Sequence, residues 1–229
     1  MLFVAGARTR HLVIIAILAV LVSPLLWHYG MKPYQRMRIS SVLLQNEWLR
    51  QKAQENETLG AILAGGSSRL KNWDREAGYH LKHSKFAIAS GGLAGYGFRH
   101  GPYIKYGQFL PERHNDFIFV LIGHQWGFVG CLLVLALYAV IIACGLEIAV
   151  HNTEPFGRLI AVGIVAMFAV EVLVNISMTL GLMPITGLTL PLVSYGGSSL
   201  MVSAAALGLL NNVGKSRPFS VAGEPFSYK

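Results

Sequence analysis

Charge is scarce in this chain. Of its 229 residues 13% are Asp, Glu, Lys or Arg, against 53% apolar, and mean hydropathy is positive. Soluble domains carry about 25% charged residues, so an ordinary solvated surface is excluded. Acid is scarcer than base, 11 residues against 19. There are two cysteines, Cys131 and Cys144, in one apolar run; this excludes a disulfide framework and suits buried thiols. No internal repeat, metal-ligand spacing or nucleic-acid motif is present. The glycine-rich stretch near residue 90 has no Gly-Lys-Ser/Thr after it and no strand before it, which excludes a nucleotide loop. The basic excess then points to anionic lipid or diphosphate head groups, not to nucleic acid.

Long apolar runs are what the chain does have. A hydrocarbon core about 30 Å thick takes roughly 20 helical residues at about 1.5 Å each. Four stretches meet this: 12–29, with Ser23 and Pro24 inside; 117–145, uncharged; 159–180, with the single charge Glu171; and 188–210, uncharged and opening with proline and glycine. The expected fold is an all-α polytopic membrane protein, with four transmembrane helices, a long extracellular loop over 30–115 and a cytoplasmic tail over 211–229. The first run, behind Arg8 and Arg10, has features of a signal peptide. Its length, and Trp27-His28-Tyr29 in place of a small-residue cleavage site, favour a span. Arg8, Arg10, Arg158, Lys215 and Arg217 flank the spans on one side, and the short link 181–187 on the other side has no cation, so both termini are expected in the cytoplasm.

The long loop has three parts. "KPYQRMRISSVLL", 32–44, is basic and suits an interfacial amphipathic helix. The polar stretch 45–76 reads as an exposed insertion, a solvated helix followed by a flexible turn at "GGSS". The apolar, glycine-rich 77–98 is too short to span and suits a re-entrant or interfacial segment. Between the last two runs, Pro184, Gly187, Pro191, Gly196 and Gly197 break the helix, a backbone tolerated at membrane depth only inside protein or beside a wet cavity. Ser198, Ser199, Ser203, Ala204 and Gly208 equally suit close helix packing.

In "LPERHNDFIFVLIGHQWGFVG", 110–130, an acid, bases and a second acid stand where the chain enters the apolar run. Asp116, against Phe117 and Phe119, has two readings. As a partly desolvated carboxylate its pKa rises and it suits a general base; as a helix N-cap its pKa falls and it is structural. Arg113 and His114 are candidate diphosphate or sugar contacts, or a solvated helix entry. Lys32, Arg36, Arg38, Lys82 and Lys85 are placed to hold a diphosphate or to sit among lipid head groups. Glu171 and Asn175 lie one turn apart on one helical face; Glu171 is expected to face the bundle interior and to be neutral or paired, with Asn175 as one candidate partner.

The stretch "NISMTLGLMPITGLTLPLVSYGGSS", 175–199, resembles the signature of the SEDS family, the RodA, FtsW and SpoVE proteins of bacterial shape, division and sporulation. "KPYQRMRI" at Lys32, "AGYHLKHSKFAIASGGLAGYGF" at Ala77 and "LPERHNDFIF" at Leu110 resemble its RodA branch. The resemblance implies the last four spans of a fold with about ten. It also implies a glycosyltransferase of the bacterial inner membrane that polymerises lipid II for wall elongation and cell shape, working with a class B penicillin-binding protein. Asp116 matches the catalytic aspartate of the family's "H-T-D-F-I-F", and Ser194 enters as a further substrate-contact candidate. No cofactor is implied with certainty; a divalent cation is one means of holding the charge of a diphosphate leaving group. The chain departs from the pattern in three places. His124 and Gln125 stand where acids are usual, Glu171 where glutamine is usual, and the loop after "KPYQRMRI" is longer by roughly twenty residues. Two other readings stand beside the polymerase: a lipid II flippase, suggested by the broken helix and Glu171, and a non-catalytic scaffold.

Overall fold

The computed structural model describes residues 9–64, 70, 71, 73, 77–105 and 115–215, which are helical with connecting turns and no strand among them. The helices are α1 (Thr9–Leu25, continued by a π turn Leu26–Gly30), α2 (Pro33–Ser40), α3 (Glu47–Glu55), α4 (Glu57–Ala64), α5 (Ala77–Gly91), α6 (Pro102–Lys105), α7 (Ile118–His151), α8 (Pro155–Thr179) and α9 (Gly197–Lys215). Among the described residues two helices, α7 and α8, are long and apolar enough to cross a membrane. The other two expected spans are shorter or less apolar as helices. α1 has 17 helical residues, and α9 starts at Gly197 because Pro191 and the 181–196 link keep the preceding residues out of a helix.

α7 and α8 form an antiparallel pair joined by a short turn that Pro155 closes at the first helical position. α9 packs on both. Small residues permit this: a side chain on Gly145 would collide with Val165, and Ala149, Ala161 and Leu210 form a buried cluster at that end. At the other end Phe119, Cys131, Tyr138, Val172 and Leu190 pack together, and the Tyr138 hydroxyl donates to the Pro191 carbonyl. The outward faces stay apolar, with Leu133, Leu137, Val140, Val170 and Leu173 exposed, as lipid-facing surfaces require. Both cysteines are free thiols, but only Cys131 is buried; Cys144 lies on the outward face. No residue of α1 is buried.

α7 is not one continuous helix. At Gly127 the backbone turns to φ 64°, ψ −158°, and the break is closed from outside by the glycine-rich stretch after α5. Tyr96 N–H donates to His124 O at 3.1 Å and Gly97 N–H to Gln125 O at 2.9 Å. In return Phe128 N–H reaches Gly92 O at 2.9 Å and Val129 N–H reaches Leu93 O at 3.2 Å. The glycines of 91–97 therefore form a backbone strap over a broken helix and satisfy groups that lipid cannot. The 24 residues beyond the break, 128–151, rise about 36 Å and suffice to span.

The segment 45–76 is more structured than its polarity suggested. Leu44, Ala53, Ala64, Leu70 and Trp73 are buried with Met37 of α2 as a small core of their own, with Leu59 and Leu63 against it. The polar composition belongs to the outer faces of short helices, the first of which is capped by Asn46 accepting from Trp48 N–H. The expected turn at "GGSS", 65–68, lies outside the described residues.

Gly127→Ala is expected to break the strap, because a Cβ there would stand 2.5 Å from Gly95 N and Leu93 O in a left-handed backbone. The expected cost is roughly 2–4 kcal/mol, read as a lowered unfolding temperature in detergent. Gly208→Ala, with nothing within 4 Å, should hold or slightly raise it.

Candidate functional site

The signature 175–199 folds back over the turn that leads into α7. Asn175, fully buried on α8, donates its amide to two carbonyls, Asp116 O at 3.1 Å and Leu188 O at 2.6 Å. Ser194, also buried, donates to Asn115 O at 2.7 Å and accepts from Leu190 N–H at 2.7 Å. Two side chains from one signature therefore hold the backbone of the Asn115–Asp116 pair. The Asp116 side chain faces Gly187: a Cβ there would come within 3.5 Å of Oδ2. Gly187 has φ 77°, so the turn that places it beside the carboxylate favours glycine.

The cap position of α7 belongs to Phe117, whose carbonyl receives both Val120 N–H and Leu121 N–H, and no side chain caps the helix there. Asp116 stands one residue earlier, half-buried. Phe117 is buried in a cluster with Ala87 and Val120, against which Ile88, Tyr103 and Ile185 pack, so the residue next to Asp116 is anchored in α5.

α5 brings a polar face that the sequence reading passed over. His80 stacks on Phe117 with ring centroids 6.3 Å apart, and Tyr79 packs on His83 at 4.2 Å. The signal was available: two histidines three residues apart lie on one helical face. Burial holds the His80 pKa below the ordinary histidine value, and the nearby His83 and Arg38 lower it further; burial lowers His83 too. Ser84 donates to Thr179 O at 2.5 Å and fastens α5 to the end of α8.

The other expected site residues are dispersed. The Lys85 ammonium donates to Gln45 Oε1, and Gln45 Nε2 donates to Gly181 O at 2.8 Å, so the insertion touches the link that leads to Gly187. Lys82 lies 5.3 Å above the Trp73 ring and turns toward the insertion's core. Lys32 is exposed where α2 begins, with its N–H held by Gln35 Oε1 at 3.0 Å; Arg36 is half-buried on α2. Arg113 and His114 lie outside the described residues. The expected Glu171–Asn175 pair does not form, because the Asn175 amide is drawn to the two carbonyls, and Glu171 instead lies within electrostatic reach of Tyr138. Among the described residues no three His, Cys, Asp or Glu side chains are grouped to hold a metal ion.

Residues 1–218 match the family described as "Cell cycle protein", that of FtsW, RodA and SpoVE. The chain belongs to this family. Among its SEDS relatives, the peptidoglycan glycosyltransferase MrdB of Escherichia coli K12 is 39% identical over 93% of this chain and 50% of its own length. Stage V sporulation protein E of Bacillus subtilis is 35% identical over 94% of this chain and 51% of its own. The chain thus spans about half the length of the curated relatives it matches. A solved structure described as "Structural coordination of polymerization and crosslinking by a peptidoglycan synthase complex" is 32% identical, with a TM-score of 0.62 over 93% of this chain and 51% of that one. With the lipid-facing surfaces of α7 and α8, this SEDS chain is a membrane protein.

Asn175→Leu removes the donor to Asp116 O and Leu188 O, and should cost about 1–3 kcal/mol for the stranded carbonyls, measured by chemical or thermal unfolding. Acidification should weaken the α5 face. The His80 pKa is lowered in the folded state, so the unfolded chain binds protons first as pH falls. Stability is full above about pH 6.5 and is lost as pH drops through the folded value; His80→Gln should flatten the decline in unfolding temperature between about pH 7 and pH 5.

Proposed function

We propose that this chain carries the catalytic face of a peptidoglycan glycosyltransferase that polymerises lipid II, the undecaprenyl-diphosphate-linked precursor, into glycan strands for wall elongation and cell shape. The observation that carries the reading is the convergence of Asn175, Ser194 and Gly187 on Asn115 and Asp116. The names of the relatives support the same activity. In this reading α1, α7, α8 and α9 cross the inner membrane with both termini in the cytoplasm, and residues 30–115 lie outside. The partner is a class B penicillin-binding protein that cross-links the product.

The reaction joins the 4-hydroxyl of one sugar to the anomeric carbon of another. An α-linked donor and a β-linked product imply one inverting displacement. The acceptor hydroxyl is a weak nucleophile, and Asp116 takes its proton as the new C–O bond forms. The bond from the anomeric carbon to the diphosphate breaks, and undecaprenyl diphosphate leaves with the electron pair. That group needs only charge stabilisation, supplied by cations such as Arg113, Lys32 or Arg36, or by a divalent ion. Hydrogen bonds to the backbone carbonyls of Asn115 and Asp116 restrict how far the backbone under this base drifts, which supports the positional precision proton transfer requires.

Asp116→Asn keeps shape and hydrogen-bonding capacity but accepts no proton at neutral pH. In the full-length protein, with its penicillin-binding partner and lipid II, the change should lower the rate of glycan synthesis by about 10²-fold or more, with expression and lipid II binding retained. Near-normal synthesis by this variant would leave Asp116 a structural residue. Exposure of lipid II on the far leaflet without polymer would favour transport, and neither outcome a scaffold.

A further inference from the structure

His124 and Gln125 both face the strap that closes the break in α7. His124 is fully buried, its ring 4.8 Å from that of Tyr96 and 5.3 Å from that of Tyr103. Gln125 Oε1 accepts Arg99 N–H at 3.2 Å. Ser90 Oγ lies 2.7 Å from Ala87 O and 2.9 Å from His124 Nδ1, a contact that ties the ring to α5 in either tautomer. Nε2 is buried, has no hydrogen-bond partner, and lies against Gly101, where any Cβ would collide with it. Tyr103, edge-on to this ring, packs against the buried cluster of Ala87, Val120 and Phe117, the last being the residue after Asp116.

We propose that His124 and Gln125 are positioning residues for Asp116: they lock residues 92–101 onto the break in α7 and, through Tyr103 and Phe117, fix the ground on which Asp116 stands. This rests on Asp116 being the general base. Two backbone bonds, two side-chain bonds and two ring contacts converge on this pair. The two backbone bonds form whatever the side chains are, but side chains serving only to fill space would need neither of the two side-chain bonds.

The test uses the full-length protein with lipid II, and hydrogen exchange at Tyr96 and Gly97 as a readout independent of turnover. His124→Ala should raise exchange at those two amides by about tenfold and lower kcat by roughly 10- to 100-fold, with KM little changed. Asn sets a hydrogen-bonding amide group where Nδ1 stands, so His124→Asn should recover both readouts. Gln reaches toward the Nε2 position instead, so His124→Gln should recover neither. Ser90→Ala should reproduce His124→Ala, and the two together should be no worse than either alone. Exchange and kcat indifferent to His124→Ala, loosened exchange beside an unchanged kcat, or rescue by Gln as good as by Asn would each overturn the positioning role. Glycan synthesis absent from the unmutated protein would instead sink the polymerase reading itself; a normal unmutated rate with indifferent variants sinks only the role of His124 and Gln125.

Discussion

The buried amide of Asn175 holds two carbonyls that lie far apart in sequence, those of Asp116 and Leu188. One carbonyl stands before the start of α7 and the other in the broken link before α9. Asn175 is fully buried, so water cannot be relied on where it meets them, and a fixed donor is worth more than it would be on a surface. Ser194 repeats the device one residue away on Asn115. Fixing these carbonyls brings the link over the turn, sets Gly187 beside the Asp116 carboxylate and orders the entry into α7. The proline- and glycine-rich character of the signature follows: it has to leave the helix, reverse, and present donors rather than span.

The same constraint recurs at Gly127. There a membrane-entering helix is interrupted, and the freed donors and acceptors are taken up by the backbone of residues 92–97. Both interruptions flank the region around Asp116, and both are closed by segments remote in sequence. The site is therefore assembled by backbone pairing between irregular segments, and the continuous parts of α7, α8 and α9 serve as its frame.

Much of this was legible in the sequence, for physical reasons. The run at 117–145 has no charge and that at 159–180 only Glu171, over a length that only a membrane or a large core accommodates, and they became α7 and α8. The clustered prolines and glycines of 184–197 announced a broken backbone, and the helix does begin only at Gly197. Other features were hidden because they depend on pairing that period and composition do not encode. The glycines near residue 90 signal close approach without naming what approaches. Asn175 and Glu171 share a face, but the stronger claim on the amide came from carbonyls across the fold. The core of 45–76 rests on a few residues, Trp73 above all, diluted among polar neighbours. His80 escaped notice because its importance lies in stacking on Phe117.

The central claim is that the signature acts on the reaction through Asp116 rather than by general stability. A kinetic double-mutant cycle tests it most directly: the glycan synthesis rate of Asn175→Ala is measured in the unmutated background and again in the Asp116→Asn background. The account predicts that Asn175→Ala slows the unmutated protein at least tenfold and leaves the already slow Asp116→Asn protein unchanged, since a base that is absent has nothing to gain from being held. An equal fold-loss in both backgrounds would contradict the account, because Asn175 would then serve the protein independently of Asp116.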